Sequence, residues 1–345
     1  MPRITITLGS ARPGGLDITL AGLCAQTFQD FEVVFVDARY HKRHTQVLDA
    51  VKRSGLKQPF YHVPNHRYSD SIWGTACAGY NTGFALSAGE LIVMLLDYTY
   101  VRPDWLEHHV AQSGKLVMAP HEYRTLTGAF TRDGQVPMHF DRQRVASVGM
   151  DAAIELIRDA REEFDEISCF PTPFTADQLD VFPIEGTSIP EKGEEQPYFF
   201  STKNESFPRK NVFDVNGMRE LWDRGRGPGD PDLGYRLAWS GLSPTICREA
   251  VVHCLNPRSI LPNMNLVAPE SGSMPPPYDE RITVEQGNEI YNAIRAGEQK
   301  WADNPIGLMA LRAEIWDWRR LSQQREAVLP RNVVGDAEYF GRVAE

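Results

Sequence analysis

The first hundred residues alternate short apolar strands with helical segments, and this alternation constrains the fold more than any other feature. Ile4 to Leu8 is short and β-branched, and Glu32 to Val36 is almost continuously apolar. Between them, Leu16, Leu20 and Leu23 recur at the +4 and +3 spacing of one helix face. Apolar strands separated by helices are typical of a parallel sheet that is covered on both faces. We therefore predict an α/β fold.

Polar residues follow three of the predicted strands at their carboxyl ends. Gly9 to Arg12 follows the first strand, Asp37 to Arg39 follows the second, and Asp97 to Thr99 follows a strand over Leu91 to Leu96. In open α/β sheets, ligands bind beyond the carboxyl ends of the strands. These three segments therefore predict a ligand site at that edge of the sheet.

The later part of the chain is less regular and then becomes helical. Residues 164–200 are acidic, Pro-rich and aromatic without a clear period, which predicts an irregular insertion. Residues 256–280 are rich in Pro, Asn, Ser and Gly and predict a flexible loop or lid. A helical extension is expected over residues 281–345, with an apolar stripe that packs on the rest of the chain or on a second subunit of a homo-oligomer. The stripe consists of Leu308, Leu311, Ile315 and Trp318.

Composition excludes several classes of protein. The chain has 345 residues and a formal net charge of −10 at pH 7, which gives no overall attraction to nucleic acid or anionic lipid. Its five cysteines are widely spread without a CxxC pair, so neither a disulfide scaffold nor a zinc knuckle is expected. The amino terminus lacks a signal-peptide pattern, and the longest aliphatic run is far shorter than the ~20 residues that cross a bilayer. We expect a cytoplasmic protein.

Several separated segments form an ordered set of motifs between residues 3 and 255. The first group is Thr5 to Leu8, Gln26-Thr27 and Glu32 to Asp37. The second group is Gly74, Gly79-Tyr80-Asn81-Thr82-Gly83, Ala88-Gly89-Glu90 and Leu91 to Asp97. The third group is Asn216 to Glu220 and Gly229 to Arg236. Each piece is weak alone, but the set in this order resembles the GT-A nucleotide-sugar glycosyltransferases, and in particular the large inverting family 2.

The resemblance implies a GT-A, Rossmann-like fold with a mostly parallel central sheet flanked by helices. The catalytic domain would span residues 1–255, followed by the loop at 256–280 and the helical extension. Within that domain, residues 1–114 would bind the nucleotide sugar and residues 115–255 would bind the acceptor.

The resemblance also implies contacts with the donor at the predicted strand ends. Asp37 matches a carboxylate that accepts a hydrogen bond from a uracil-type base, although the residues alone equally allow a solvated Asp that caps a turn. Leu8 and Ser10 would supply backbone contacts to the nucleoside, and Arg12 would reach a phosphate. Asn81 lies in the second motif group and is assigned to the nucleotide-sugar site.

A divalent metal is the cofactor that the resemblance implies. Asp97 lies where the family has its D-x-D motif, whose carboxylates hold Mg²⁺ or Mn²⁺ against the diphosphate. Thr99 stands at the second Asp of that motif, so the affinity for metal should be lower. His253 lies where many such enzymes have a metal-binding His, although a lone His among apolar residues is more often a core group. We expect Mn²⁺ or Mg²⁺ at Asp97 and His253.

Asp230 is the expected general base. Inverting transfer is a single displacement in which a carboxylate takes the proton of the attacking hydroxyl. The segment Gly229-Asp230-Pro231 fits a loop that leads into a helix with Pro in its first turn. Asp230 would also suit the N-cap of that helix, and the two roles are compatible. Asp232 is expected to be structural, paired with Arg236 at i+4.

A basic cluster follows Asp37, just before a helix that is predicted over Thr45 to Ser54. Its members are Arg39, Lys42, Arg43 and His44. The cluster would suit a phosphate of the donor or of a nucleic-acid acceptor. A solvated run of charge is the more common explanation for such a cluster.

We therefore expect an inverting hexosyltransferase that moves a sugar from a nucleoside diphosphate sugar, UDP-linked in the simplest case, to a hydroxyl acceptor. Two alternatives remain at this point: a sugar-nucleotide nucleotidyltransferase of related fold, and a non-catalytic module that binds nucleotide sugars. The acceptor is open between a saccharide, a protein side chain, a small metabolite and modified nucleic acid.

Overall fold

The structure is a computed structural model. It describes residues 3–10, 14–67, 76–124, 166–168, 174–182, 184–188, 196–224, 228–255 and 284–330. The strands are β1 (Ile4–Ser10), β2 (Phe31–Asp37), β3 (Phe60–Val63), β4 (Leu91–Leu96), β5 (Thr99–Val101), β6 (Leu116–Met118), β7 (His121–Arg124), β8 (Ile184–Ser188), β9 (Glu205–Pro208), β10 (Pro244–Ile246) and β11 (Val252–Leu255). The helices are α1 (Leu16–Cys24), α2 (Tyr40–Ser54), α3 (Ala76–Leu86), α4 (Trp105–Ala111), α5 (Arg209–Asp214), α6 (Gly229–Trp239), α7 (Val284–Arg295), α8 (Leu308–Ile315) and α9 (Trp318–Leu321). Short 3₁₀ turns cover Ala176–Val181, Pro197–Phe199 and Glu220–Arg224.

The larger sheet has the strand order β10-β6-β9-β4-β1-β2-β3. The neighbours β1 to β4 are parallel where they pair, and β10 is parallel to β6. β9 runs antiparallel between β4 and β6. Because β9 is reversed, its first residue, Glu205, lies opposite Met118 at the carboxyl end of β6. The predicted α/β fold with a mostly parallel sheet is confirmed.

A smaller sheet continues from the carboxyl edge of the larger one. Its order is β5-β11-β7-β8. β5 follows β4 after a short turn, and β7 follows β6 in the same way. The smaller sheet therefore stands at the edge where the sequence predicts the ligand site.

Both faces of the larger sheet are buried, as the apolar strands predict. Along β4, Ile92 and Met94 belong to a core that includes residues of α3, α6 and α8. Leu91, Val93 and Leu95 belong to a second core with residues of α1 and α4. Strands with alternate side chains in two separate cores are almost continuously apolar.

Gly89 shows how closely the chain packs at the amino end of β4. A Cβ atom at this position would lie 2.4 Å from the backbone nitrogen of Thr5. The glycine of the Ala88-Gly89-Glu90 motif is therefore required by the approach of two backbones, whatever the function of the protein.

The helix after β2 begins at Tyr40, five residues earlier than the predicted start at Thr45. The buried side chains of its first turns are Tyr40, Arg43 and His44. Since two of these three are basic, hydrophobic periodicity does not reveal that they face the interior.

Two later regions also differ from the sequence prediction. The region 164–200, predicted to be irregular, contains β8 and two 3₁₀ turns in its described parts. The carboxyl-terminal region is divided into α7, α8 and α9. The predicted loop at 256–280 lies outside the described residues.

The predicted apolar stripe at the carboxyl terminus packs on the body of the chain. Leu308, Leu311, Ile315 and Trp318 are all buried in the core that contains α3 and α6. Arg319 on α9 forms a bidentate ion pair with the fully buried Glu32 of β2 and also donates to the carbonyl of Leu86. The apolar stripe is therefore buried against residues of its own chain. None of the helices in the described ranges is long and apolar enough to span a membrane.

We predict that Arg319→Met destabilises the protein strongly, because it leaves the Glu32 carboxylate buried without its cation. Losing one partner of a buried pair costs about 3–5 kcal/mol of unfolding free energy. Arg320→Met is the matched control, since Arg320 pairs with Asp317 at the surface. Urea unfolding of both variants would measure the difference. Equal stability of the two variants would contradict a structural role for the Arg319–Glu32 pair.

Candidate active site

Three of the predicted site residues meet where β1, β2 and β4 end. Ser10 lies opposite Asp37 in the register of β1 and β2. The backbone N–H of Asp97 donates to the carbonyl of Gly9 at 3.2 Å. The Ser10 hydroxyl donates to the Asp97 carboxylate at 2.7 Å. The strand ends therefore converge as the sequence predicts.

Arg43 of α2 fills the space between these residues. Its Nε and one terminal nitrogen donate to the two oxygens of Asp37 at 2.7 and 2.9 Å. The same terminal nitrogen donates to Ser10 Oγ at 2.9 Å, and the other donates to the carbonyl of Glu166 at 2.6 Å. Arg43 and Asp37 are both fully buried. One guanidinium thus ties the ends of β1 and β2 to α2 and to residue 166.

Asp37 has its acceptor positions occupied by the protein. In addition to Arg43, it accepts the backbone N–H of Arg39 at 2.8 Å and contacts His62 Nε2 at 2.8 Å. Burial alone would raise the pKa of Asp37, but the charge of Arg43 and the hydrogen bonds from His62 and Arg43 hold it well below its usual range. A nucleobase would have to displace one of these donors. The Asp37 carboxylate is therefore part of the hydrogen-bonded framework at the strand ends, and its contact with a base stays a prediction.

The basic cluster after Asp37 is divided between the interior and the boundary of the site. Arg39 pairs with Glu166, and Arg43 and His44 are buried. The phosphate contact that the cluster suggested is therefore not available to Arg43, whose donors bind Asp37, Ser10 and Glu166.

Leu8 belongs to the core rather than to a binding surface. Its side chain is buried, and its backbone is paired in register with Phe35 of β2 and Leu95 of β4. The predicted backbone contact of Leu8 with a nucleoside stays a prediction. Arg12, the other predicted phosphate contact in this segment, lies outside the described residues.

Asn81 of α3 forms hydrogen bonds to Met218 and Glu220, which belong to the third motif group. Its amide nitrogen donates to the Met218 carbonyl and to Glu220, both at 2.9 Å, and its oxygen accepts the Met218 N–H at 2.7 Å. The adjoining Gly217 has φ +71°, and a Cβ there would lie 2.3 Å from Asn81 Oδ1. The Asn81 amide is thus used by the protein itself. Its assignment to the nucleotide-sugar site stays a prediction.

His253 pairs with a residue other than Asp97. On β11 it lies opposite Tyr100 of β5, and its Nδ1 lies 3.0 Å from Glu122 Oε2 on β7. The Thr99 hydroxyl donates to the backbone carbonyl of Asp97 at 3.2 Å and also lies 3.8 Å from Cys254 Sγ. Across the described ranges, no three His, Cys, Asp or Glu side chains converge as metal ligands. His253 is therefore paired with Glu122, and the metal site at Asp97 and His253 stays a prediction.

Asp230 is linked to the end of β1 through Thr202 and Tyr80. The Thr202 hydroxyl donates to Asp230 Oδ1 at 3.0 Å, and the Thr202 carbonyl accepts the Tyr80 hydroxyl at 3.0 Å. The Tyr80 ring in turn lies against Gly9. Burial and the charge of Asp230 raise the pKa of Tyr80, so that its hydroxyl is a neutral donor. Asp230 and the strand ends therefore border the same region.

Asp232 has the structural role that its spacing predicts. It is fully buried, pairs with Arg236 at i+4, and accepts the indole N–H of Trp222. Arg236 also donates to the carbonyls of Val215 and Gly217 at 2.9 and 2.6 Å. The neighbouring carboxylates of α6 are thus separated: Asp232 stabilises the core and Asp230 is partly exposed.

Sequence reasoning missed a second group of residues beside Asp230. Glu205, at the start of β9, holds the turn over 201–204, and its oxygens accept the Lys203 and Asn204 N–H groups at 2.6 and 2.7 Å. His121 of β7 lies 3.8 Å from Glu205. Nothing in the polar segment Ser201-Thr-Lys-Asn-Glu205 has a period that indicates burial, so only the pairing of β9 with β6 reveals this group.

We predict that Arg43→Met lowers the unfolding free energy by about 3–5 kcal/mol at pH 7, because Asp37 loses its buried cation. The loss should shrink below pH 4. The native pKa of Asp37 lies below its unfolded value of about 3.9, so the stability from its ionised form is present above that pH and is lost on acidification. Urea unfolding at pH 7 and pH 3.5 would measure both effects. A smaller loss is expected for Arg39→Met, whose partner Glu166 is partly exposed.

Comparisons with known proteins give only distant similarities. No protein-family model matches the chain, and no curated protein matches it. A crystal structure of S. aureus TarS shares 9% identity and a TM-score of 0.44, covering 74% of this chain and 37% of that one, so this chain spans about a third of its length. S. aureus TarS 1–349 shares 12% identity and a TM-score of 0.47, covering 93% of this chain and 71% of that one. The same protein with UDP-GlcNAc shares 11% identity and a TM-score of 0.45, covering 93% and 72%. A functional assignment for this chain therefore depends on the residues of its own site.

Proposed function

We propose that the protein is an inverting glycosyltransferase that uses a nucleoside diphosphate sugar and a hydroxyl acceptor. The observation that carries this proposal is the position of Asp230. Through Thr202 and Tyr80, this carboxylate borders the carboxyl ends of the parallel strands, where Asp97 and Ser10 lie. Tyr80, Asp97 and Asp230 also lie in the ordered motifs that resemble the GT-A family.

The donor would bind at the strand ends, on the Asp97 side of the site. In open α/β sheets this edge is where nucleotides bind. Asp97 is anchored by Ser10, which is anchored in turn by Arg43, so its carboxylate has a fixed position. A fixed framework of this kind orients the bound substrate for reaction.

Asp230 would act as the general base on the acceptor side. The acceptor oxygen forms a bond to the anomeric carbon while the bond from that carbon to the diphosphate oxygen breaks. The electron pair of the broken bond leaves with the nucleoside diphosphate, and the acceptor proton passes to Asp230. The hydrogen bond from Thr202 orients the carboxylate for this transfer.

The metal expected from the resemblance remains a prediction. Asp97 is the one carboxylate that the D-x-D segment supplies, and His253 Nδ1 lies 3.0 Å from Glu122 Oε2. Assays with Mn²⁺, with Mg²⁺ and with EDTA would measure the dependence directly.

We predict that the protein releases UDP from at least one UDP-sugar, with UDP-GlcNAc, UDP-glucose and UDP-galactose as the first donors tested. Asp230→Asn should lower that rate about 10²–10⁴-fold, the usual contribution of a general base, and leave UDP binding intact. Asp214→Asn is the control, because Asp214 forms a surface pair with Lys210. UDP release can be followed by a coupled assay and UDP binding by calorimetry.

The alternatives give different outcomes in the same experiment. A wild-type rate in Asp230→Asn would contradict the proposed base. Binding of UDP-sugars without turnover under any metal condition would indicate a binding module, which the presence of Thr99 in place of a second Asp favours. Release of pyrophosphate from a nucleoside triphosphate and a sugar phosphate would indicate a nucleotidyltransferase.

A further inference from the structure

The turn over residues 201–204 holds Thr202 in a backbone conformation that a β-branched residue rarely adopts. Thr202 has φ +58°, in the left-handed region, and it is buried. Such a conformation is costly for a β-branched side chain, so it persists only where the surrounding contacts hold it. Thr202 is also the residue whose hydroxyl donates to Asp230 Oδ1 at 3.0 Å. The strained residue and the contact to the candidate base therefore coincide.

Glu205 supplies the contacts that close this turn. Its Oε1 accepts the Ser201 hydroxyl at 2.6 Å and the Ser201 N–H at 3.2 Å. Its Oε2 accepts the N–H groups of Lys203 and Asn204 at 2.6 and 2.7 Å. These donors lie on both sides of Thr202 in the chain. An ionised carboxylate offers about four acceptor positions, so the turn uses the whole capacity of the ionised group.

The protonation state of Glu205 determines how firmly the turn is closed. Hydrogen bonds to an ionised acceptor are roughly twice as strong as those between neutral groups. A protonated carboxyl would also bring its own proton into a space toward which the donors of Ser201, Lys203 and Asn204 already point. At least one of their hydrogen bonds would then be lost. The ionised form of Glu205 is therefore the one that holds Thr202 in its strained conformation.

The groups that face Glu205 bring its ionisation into the neutral pH range. His121 Nε2 of β7 lies 3.8 Å from Glu205 Oε1, but burial lowers the pKa of His121 to about 3 and keeps the ring neutral. Lys203 directs its ammonium group to the tyrosine hydroxyl of β7 at 2.9 Å. Tyr80 of α3 is a neutral donor, and Asp230 of α6 adds a like charge. Burial, together with that charge, raises the pKa of Glu205 to about 7.

We infer that Glu205 is a positioning residue for the candidate base, because its ionised carboxylate closes the turn that holds the Thr202 hydroxyl on Asp230. The inference rests on the proposed function, which gives Asp230 the role of base. Glu205 takes no part in the proton transfer itself and acts through Thr202. The rate of transfer should therefore follow the ionisation of Glu205, whereas binding of the donor at the strand ends should not.

Glu205→Gln tests the inference by making the group permanently neutral. The single amide oxygen can accept about two hydrogen bonds, and the amide N–H₂ faces the remaining donors. We expect kcat for UDP release to fall about five- to tenfold, as the loss of one orienting hydrogen bond implies, with KM for the UDP-sugar unchanged. The substrate is whichever of UDP-GlcNAc, UDP-glucose and UDP-galactose the wild type turns over fastest. Glu107→Gln is the matched control, because Glu107 is an exposed carboxylate of α4 that accepts the Thr27 hydroxyl.

The pH profile distinguishes positioning from a merely structural role. The ionised form of Glu205 is present above its pKa of about 7 and is lost as the pH falls, so wild-type kcat should drop about fivefold from pH 8 to pH 6. Glu205→Gln should show no such drop. Ser201→Ala keeps Glu205 but removes a hydrogen bond that lowers its pKa, so the drop should move about 0.5–1 pH unit higher. The inference is overturned if the wild type shows no drop, or if Glu205→Gln or Ser201→Ala keeps the wild-type profile.

Thr202→Val tests whether Glu205 acts through the Thr202 hydroxyl. This change removes the donor to Asp230 and keeps a β-branched side chain of the same shape. If Glu205 acts through that hydroxyl, the double variant should be no slower than Thr202→Val alone, since the two changes interrupt one interaction. Losses that multiply in the double variant would place the effect of Glu205 elsewhere and would also overturn the inference.

NMR of the threonine methyl groups separates this inference from the proposed function. The Thr202 methyl signal should shift with a midpoint near pH 7 in the wild type and in Asp230→Asn, and it should not shift in Glu205→Gln. If the wild type releases no UDP from any of the UDP-sugars, the proposed function fails, while this titration still reports on the turn. A Thr202 signal that stays constant from pH 6 to pH 8 in the wild type would show that Glu205 does not control Thr202.

Discussion

The buried ion pair between Arg43 and Asp37 is the interaction on which the candidate site depends. It joins α2 to β2, and the same guanidinium reaches Ser10 of β1 and the carbonyl of residue 166. Removing two charges from water is expensive, and such a pair is tolerable only when nearly every donor and acceptor is satisfied. Here both oxygens of Asp37 and all three nitrogens of Arg43 have partners. These hydrogen bonds hold the carboxyl ends of β1 and β2 together, and through Ser10 they hold the Asp97 carboxylate in place.

A second buried pair stabilises the other side of the site in the same manner. Asp232 and Arg236 are one helical turn apart. Arg236 binds the carbonyls of Val215 and Gly217, just before Met218, whose backbone is bonded to the Asn81 amide. Fixing α6 in this way also fixes Asp230, which is two residues before Asp232 and points in a different direction. Two adjacent carboxylates on one helix therefore have separate functions, because the helical rotation of 100° per residue places one in the core and leaves the other at the rim.

The sequence predicted what depends on periodicity and local spacing. The strand at 91–96, the polar strand ends and the Asp232–Arg236 pair all follow from residues close together in the chain, and each is confirmed. The roles that the sequence did not predict depend on residues that are far apart in the chain. Asp37 was assigned to a base by the resemblance, and nothing in the sequence indicates that Arg43 and His62 bind its carboxylate. In the same way, the role of Glu205 follows from the turn over 201–204 and from the pairing of β9 with β6, and no local sequence pattern predicts either of them.

The partners of Asp37 extend beyond the site to the carboxyl-terminal segment, and the hydrogen bonds on this path require a defined number of protons. His62 Nε2 contacts Asp37, His62 Nδ1 contacts His44 Nδ1 at 2.9 Å, and His44 Nε2 contacts the carbonyl of Gln324 at 3.0 Å. Both ends of this path are acceptors, so three hydrogen bonds need three N–H protons, whereas two neutral rings supply two. Burial lowers the pKa of His62 to about 4 and also lowers that of His44, which keeps both rings neutral near pH 7.

A neutral pair can therefore make only two of the three hydrogen bonds. The bond to the buried Asp37 carboxylate is the strongest, because its acceptor is charged. Once His62 donates to Asp37, its Nδ1 must accept from His44, and His44 Nε2 then faces the Gln324 carbonyl with a lone pair. The contact between His44 Nε2 and the Gln324 carbonyl is consequently the one of the three that lacks a proton, and the segment is held instead by other contacts, such as the Tyr40 hydroxyl that donates to the carbonyl of Ala327 at 3.1 Å.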